Sequence, residues 1–107
     1  MENKINTLEL SWTAGKIKGF SGKELLLLPN GGLKLIKVSP LATYPEHLHP
    51  DKTEYAYVLE GTPEIIINSE TYIGTIGDFF IFPLNTKHSI KNKTNFECIL
   101  LIGSIQN

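Results

Sequence analysis

The sequence predicts a single all-β domain of sandwich or barrel type with little helix, and three observations support this. No segment has the sustained i, i+3, i+4, i+7 spacing of apolar residues that an amphipathic helix requires. Short β-rich runs recur instead, and Gly, Pro and Asn interrupt them about every 8–12 residues, as in β-sandwiches and barrels. A chain of 107 residues can build one hydrophobic core but not two.

The predicted strands follow one another with short connections. In chain order they are Thr7–Trp12, Glu24–Leu28, Leu33–Ser39, Thr43–His49, Glu54–Glu60, Glu64–Asn68, Glu70–Ile73, Phe79–Phe82, Lys87–Ile90 and Phe96–Ser104. The segment Pro29-Asn30-Gly31-Gly32 is a strong hairpin turn signal, and Asn68-Ser69 is a weaker one. We expect residues 1–107 to form one domain.

Alternation along the run Glu54–Glu60 predicts two different faces. One face carries Glu54, Ala56 and Val58, and the other carries Tyr55, Tyr57 and Leu59. The second face is too apolar for an open surface, so we expect the N-terminal strands or a second subunit to cover it. We favour a homodimer, with residues 1–40 at its interface.

Composition excludes several classes of partner. The net charge is -1, so no basic surplus indicates binding to nucleic acid or to an anionic membrane. All ten cationic side chains are lysine and none is arginine, the usual bidentate clamp for phosphates. A substrate held by several phosphates is therefore disfavoured, although lysine can hold one. A coding bias toward lysine would explain the missing arginine equally well.

The N-terminus and the single cysteine predict a cytoplasmic protein. Residues 1–12 alternate polar and apolar side chains and lack the apolar region of a signal peptide. The longest aliphatic run, Leu25–Leu28, is too short to span a bilayer. Cys98 cannot form an intrachain disulfide, and we expect it to be a buried structural thiol.

All three histidines of the chain fall into one pattern with metal-ligand spacing. His47 and His49 form an H-x-H pair, so on an extended strand both imidazoles project from the same face. Glu54 follows at H-x-H-x4-E spacing, and His88 lies further along the chain. A lone histidine is usually a surface residue or a hydrogen-bonded core residue. Together, however, these four side chains can surround one divalent ion.

With this pattern of histidines and glutamate, the chain resembles a single-domain cupin, a β-barrel of the RmlC-like jelly-roll superfamily with two short motifs. The first, G-x5-H-x-H-x3-4-E-x6-G, runs here from Leu41 to Gly61, with Leu41 in place of the leading glycine. The second, G-x5-P-x-G-x2-H-x3-N, runs from Gly77 to Asn92, with Asn85 in place of a glycine. Asparagine tolerates a left-handed backbone better than other residues with a side chain, so this change is mild.

The resemblance implies a double-stranded β-helix (jelly-roll) barrel with its metal-binding core at residues 41–92. It also implies that His47, His49, Glu54 and His88 bind one divalent metal. Imidazole and carboxylate ligands suit Fe, Mn, Ni, Co, Cu or Zn and do not select among them. Four protein ligands leave a coordination position open in five- or six-coordinate geometry. A closed structural zinc site is the alternative, although such sites usually employ cysteine.

Other candidates for substrate contact are weaker. Tyr44 has the opposite strand parity to His47, so its phenol faces inward only if the strand contains a bulge. Phe80 and Phe82 precede the turn that leads to His88, and they line the cavity or pack in the core. Lys52 lies at the expected barrel mouth, where it meets an anionic substrate or only solvent.

Two kinds of function fit these residues. The first is a metalloenzyme of dioxygenase-like, lyase or isomerase type that acts on a small organic substrate in the barrel. Because the ligand set uses every histidine, no separate acid–base pair is visible, which slightly favours redox or lyase chemistry. The second is a non-catalytic module for metal-dependent binding or sensing of a small molecule.

Overall fold

The computed structural model describes residues 2–107 and consists of two antiparallel sheets with a single turn of 3-10 helix, Thr7–Glu9. The strands are β1 (Thr13–Ala14), β2 (Phe20–Leu28), β3 (Gly31–Val38), β4 (Thr43–His47), β5 (Lys52–Glu60), β6 (Glu64–Ile67), β7 (Glu70–Ile73), β8 (Phe79–Phe82), β9 (His88–Lys91) and β10 (Cys98–Gln106). One sheet has the order β1-β2-β3-β10-β5-β8, and the other has the order β4-β9-β6-β7. The prediction of an all-β jelly-roll is confirmed.

The core lies between the sheets and uses alternate residues of each strand, as the pleat requires. Its fully buried apolar members include Val38, Ala56, Val58, Ile65, Cys98 and Leu100. Ala56 and Val58 are buried while Tyr57 and Leu59 are exposed, which confirms the two faces predicted for this strand. Cys98 is a buried free thiol, also as predicted.

The prediction of a strand at Thr7–Trp12 is wrong. Asn6 caps the 3-10 turn, because its side-chain oxygen accepts a hydrogen bond from the backbone N–H of Leu8 (3.0 Å). Trp12 then lies against β2 and β3, with the Nζ atoms of Lys23 and Lys37 at 4.6 and 4.8 Å from its ring centroid. Local capping and these cation–π contacts prevail over the alternating pattern of the segment.

The N-terminal segment therefore packs beside β2 and β3 and not over the tyrosines of β5. The outer face of β5 and β8 remains exposed, including Phe79 (54%) and Ile81 (55%). Tyr55 packs over Gly103 of β10, where a Cβ atom would lie 2.4 Å from the tyrosine ring. This face is the apolar surface for which we expected a cover from the N-terminal strands or from a second subunit.

Several strand ends differ from the predicted ones, mostly at turns. β2 begins four residues before the predicted Glu24, at Phe20, and β3 begins at Gly31, so only Pro29-Asn30 form the hairpin loop. At Asn68-Ser69 both residues have positive φ (49° and 69°), which confirms a tight hairpin turn there. None of the described helices is long and apolar enough to cross a membrane.

Candidate metal centre

Both sheets contribute side chains to a cluster of His47, His49, Glu54 and His88. One ligand atom of each residue lies within 4.8 Å of those of the other three. His47 and His88 face each other in register on β4 and β9, with ring centroids 4.3 Å apart. Glu54 comes from β5 in the opposite sheet, so the cluster bridges the two layers.

Local structure positions each ligand. The ring of His88 is almost fully buried and stacks on Phe82 at 4.4 Å, and Phe82 pairs with Glu54 across β8 and β5. His49 follows the end of β4, and its carbonyl oxygen accepts a hydrogen bond from the Asn85 N–H (2.9 Å). Asn85 adopts a left-handed conformation (φ 56°), as predicted for an asparagine in place of glycine.

Contacts with backbone carbonyl oxygens orient the imidazoles of His47 and His88 and leave one nitrogen of each free for the cluster. Nδ1 of His47 lies 2.9 Å from the carbonyl oxygen of Pro45, and Nδ1 of His88 lies 3.2 Å from that of Thr86. A carbonyl oxygen can only accept, so both Nδ1 atoms carry hydrogen, and a neutral ring then directs the lone pair of Nε2 inward. Histidines that bind a metal are commonly oriented in this way.

The contact between His88 and Glu54 fits a cation better than it fits a hydrogen bond. Nε2 of His88 lies 3.3 Å from Oε1 of Glu54, and Nε2 of His49 lies 3.1 Å from the same oxygen. With Nδ1 of His88 already protonated, a neutral ring would direct a lone pair at a carboxylate. An imidazolium would be charged in a buried position, whereas a cation between the groups satisfies both lone pairs. The residues therefore fit a divalent ion.

Electrostatics favour the protonation states that bind metal. Burial, the largest influence, lowers the pKa of His49 below its ordinary value, despite the opposing attraction of Glu54. Burial acts to raise the pKa of Glu54, but its close polar contacts with His88, His49 and Lys52 outweigh burial, so this pKa is lowered. A neutral imidazole and an ionised carboxylate are the forms that coordinate a metal.

The cluster opens into a cavity of about 550 Å³ between the sheets, a size typical of sites for small ligands. Tyr44 and Phe82 line this cavity. Tyr44 faces inward because the β4–β9 register shifts between Tyr44 and His47, which is the bulge that an inward phenol requires. Phe80 also points inward, but it packs against the core and lies 6.0 Å from the Tyr72 ring, away from the cavity lining.

Several residues of this lining were not predicted from the sequence, among them Lys16, Glu24 and Lys34. Lys34 shares its face with Ile36 and Val38 of β3, since all three have the same parity. A lysine on the apolar face of a predicted strand was the available signal. It became interpretable only when the register showed which face is inward.

A family model described as "Cupin domain" matches residues 34–103. The chain belongs to the cupin family. The matched range covers both motifs and all four residues of the cluster. No curated protein matches the chain.

Solved structures from other cupins share the fold over nearly the whole chain. KdgF from Halomonas sp. is 20% identical, with a TM-score of 0.86 over 100% of this chain and 96% of that one. A predicted oxalate decarboxylase from Thermotoga maritima is 19% identical, with a TM-score of 0.84 over 97% and 99%. The polyketide cyclase RemF from Streptomyces resistomycificus is 19% identical, with a TM-score of 0.86 over 98% and 80%. At these identities the similarity establishes the fold.

Proposed function

We propose that this cupin binds one divalent transition metal (Fe, Mn, Ni, Co, Cu or Zn) through His47, His49, Glu54 and His88, and that it is a metalloenzyme for a small organic substrate. The observation that carries this proposal is the convergence of four ligand atoms within 4.8 Å at the wall of an open cavity. A bound ion would supply Lewis-acid or redox chemistry at that wall. The reaction belongs to the dioxygenase, lyase or isomerase type.

The protein's own residues support a site with access for substrate. His47, His49 and Glu54 are only half-buried and line the cavity, while His88 forms its buried end. The Tyr44 ring lies 4.8 Å from the His47 ring and packs edge-on against Phe20. This arrangement leaves the Tyr44 phenol beside the cluster, where it can donate a hydrogen bond to a substrate oxygen.

Elemental analysis of the purified protein tests the metal site. We expect about one ion per chain, and the variants His47→Ala and His49→Ala should lose it. Glu46→Ala is the matched control, because Glu46 is exposed on the same strand. Full occupancy in either histidine variant would show that the ligand assignment is wrong.

Turnover separates an enzyme from a non-catalytic metal-dependent binding or sensing module. The protein reconstituted with each candidate metal is assayed for oxygen uptake with diketones, flavonols and catechols, and for lyase and isomerase products. Oxygen uptake that requires His88 identifies an oxygenase. A stoichiometrically loaded protein that binds small molecules without turnover in any of these assays would identify the binding module.

We also propose that the protein is a homodimer in which the partner covers the exposed face of β5 and β8. Residues 1–40, which include β2 and β3 of the same sheet, would also lie at the interface. Tyr57, Phe79 and Ile81 on this face are exposed large apolar side chains. Light scattering at micromolar concentration should give twice the 11.9 kDa chain mass. The double variant Phe79→Lys/Ile81→Lys should give the monomer mass, and a wild-type monomer would refute the proposal.

A further inference from the structure

Two lysines, the exposed Lys34 and the half-buried Lys52, line the cavity that contains the candidate metal centre. Lys34 of β3 pairs with Glu24 of β2 and with Ile102 of β10, and Ile102 is a buried core residue. Lys52 of β5 lies two residues before Glu54 and therefore projects from the same face. Both lysines line the main cavity and also an adjoining recess of about 290 Å³ beside the β2–β3 hairpin.

The cavity is more positive than the rest of the protein. The whole chain has a net charge of -1, yet Lys16, Lys34 and Lys52 outnumber Glu24 and Glu54 in the lining. Lys23 also borders the cavity, but its Nζ donates to the Thr7 carbonyl oxygen (2.8 Å). A divalent ion at the four-ligand cluster would add two further positive charges. A concave positive site of this kind concentrates anions.

The two lysines remain available to a ligand. Lys34 makes no ion pair within 4.0 Å of an acidic group in residues 2–107, although Glu24 lies opposite it in the sheet. Lys52 has one long contact, 3.9 Å from its Nζ to Oε2 of Glu54, a carboxylate that also serves the cluster. β10 alone separates β3 from β5, and Ile102 of β10 pairs with both Lys34 and Ala56. Glu54 lies two residues from Ala56, so strand spacing places the Lys34 and Glu54 backbones roughly 12 Å apart across the sheet.

We propose that the cavity binds a small organic acid, with an oxygen ligand at the metal cluster and a distal carboxylate held by Lys34 and Lys52. This proposal rests on the proposed metal site and adds the chemical class of its substrate. Lysine ammonium groups pair with a single carboxylate as point charges. The absence of arginine argues against a polyphosphate in the same place.

Two hydroxamates that differ only at one end test the proposal. Succinohydroxamate and butyrohydroxamate chelate metals identically, but the first has a carboxylate where the second has a methyl group. Calorimetry on the zinc-loaded protein should show that the carboxylate compound binds at least about 10-fold more tightly, from one or two charge-assisted hydrogen bonds. In the double variant Lys34→Met/Lys52→Met this ratio should fall to near 1, with butyrohydroxamate affinity unchanged.

The variant Lys4→Met controls for overall charge, because Lys4 is exposed outside the cavity lining, and it should keep the wild-type ratio. A wild-type ratio near 1, or a ratio that persists in the double variant, overturns the proposal. Inorganic phosphate that binds more tightly than succinohydroxamate, and only with both lysines present, would also overturn it, since a phosphate would then be the preferred anion.

The metal-free protein distinguishes a failure of this proposal from a failure of the proposed function. Amide chemical shifts of residues 32–36 and 51–54 are followed during titration with succinate and with butyrate. Lysine-dependent shifts with succinate only would support the anion site even if zinc did not bind. Identical shifts with both acids would overturn it whether or not zinc binds.

Discussion

Leu41 has a backbone conformation that favours glycine. A glycine variant at this position should therefore be more stable than an alanine variant, the reverse of the usual order of stability. The turn Ser39-Pro40-Leu41-Ala42 closes through the Ala42 N–H and the Ser39 carbonyl oxygen (3.2 Å). Proline is its second residue and Leu41, with φ of 65°, is its third, the position where a type II turn requires positive φ. This is the position where the first cupin motif has glycine.

The turn Thr75-Ile76-Gly77-Asp78 supplies a matched control. It closes through the Asp78 N–H and the Thr75 carbonyl oxygen (3.0 Å), and glycine takes the positive-φ position (94°). Ile76 precedes that glycine and has negative φ. Its side chain is 71% exposed and that of Leu41 is 72% exposed, so truncation of either loses similarly little buried surface.

The expected free energies follow from two opposing effects. A side chain in the left-handed region costs about 1–2 kcal/mol, whereas glycine costs about 0.5–1 kcal/mol through the entropy of the unfolded chain. Leu41→Gly should therefore be more stable than Leu41→Ala by about 0.5–1 kcal/mol. At Ile76 the strain is absent, so Ile76→Gly should be less stable than Ile76→Ala by a similar amount.

Urea unfolding of the four metal-free variants, followed by circular dichroism, measures these differences. The slopes should be equal, so that the midpoints report stability alone. If alanine is the more stable residue at both positions, Leu41 is not strained and the reasoning is refuted.

Three further predictions concern the core and the metal cluster. Asn92→Ala should lower the free energy of unfolding by about 3 kcal/mol, since the buried Asn92 amide donates to the carbonyl oxygens of Val38 and Phe96 (3.1 and 2.7 Å). Asn95→Ala, at an exposed position, is the control. Equal urea midpoints for the two variants would contradict this prediction. The metal-free protein should lose stability as pH falls below 6.5, because the pKa of His49 is lowered in the folded state and the unfolded state therefore binds a proton at higher pH. A second loss should occur below 4.5, because the pKa of Glu54 is also lowered in the folded state. Urea midpoints from pH 8 to 4 check this, and His49→Gln should flatten the upper part of the curve; an unchanged slope there would remove His49 as the cause. Zinc at 100 times its Kd should add about 2.7 kcal/mol of stability, and His88→Ala should abolish the gain; an equal rise in the variant's melting temperature would place the ion elsewhere.

Periodicity predicted the parts of the fold in which one face is buried. The Glu54, Ala56 and Val58 side of β5 is buried, so the alternation of side-chain type along this strand indicates which of its faces points toward the core. The H-x-H-x4-E spacing, with His88, indicated the cluster because residues at alternate positions of a strand project from the same face. The left-handed Asn85 followed from the conformational preference of asparagine.

Periodicity could not predict features that depend on pairing between distant segments. The inward position of Tyr44 depends on a bulge relative to β9, whose residues lie more than forty positions away in the chain. The inward face of Lys34 depends on its register with β10. The Thr7–Trp12 segment alternates like a strand, but its capped turn and the contacts of Trp12 with Lys23 and Lys37 determine its path.

The bridging position of the cluster has a mechanical consequence. His47 and His88 belong to the four-stranded sheet and Glu54 to the six-stranded sheet, so an ion held by all of them would clamp the two layers together as a covalent cross-link does. Widening of the cavity by separation of the sheets would then require release of a ligand. In the metal-free protein, the packing of side chains such as Val58 and Ile65 and the hydrogen bond from Asn92 to the Val38 carbonyl oxygen still resist that separation. Without the ion, however, the layers should open more often, as hydrogen exchange at β9 would record.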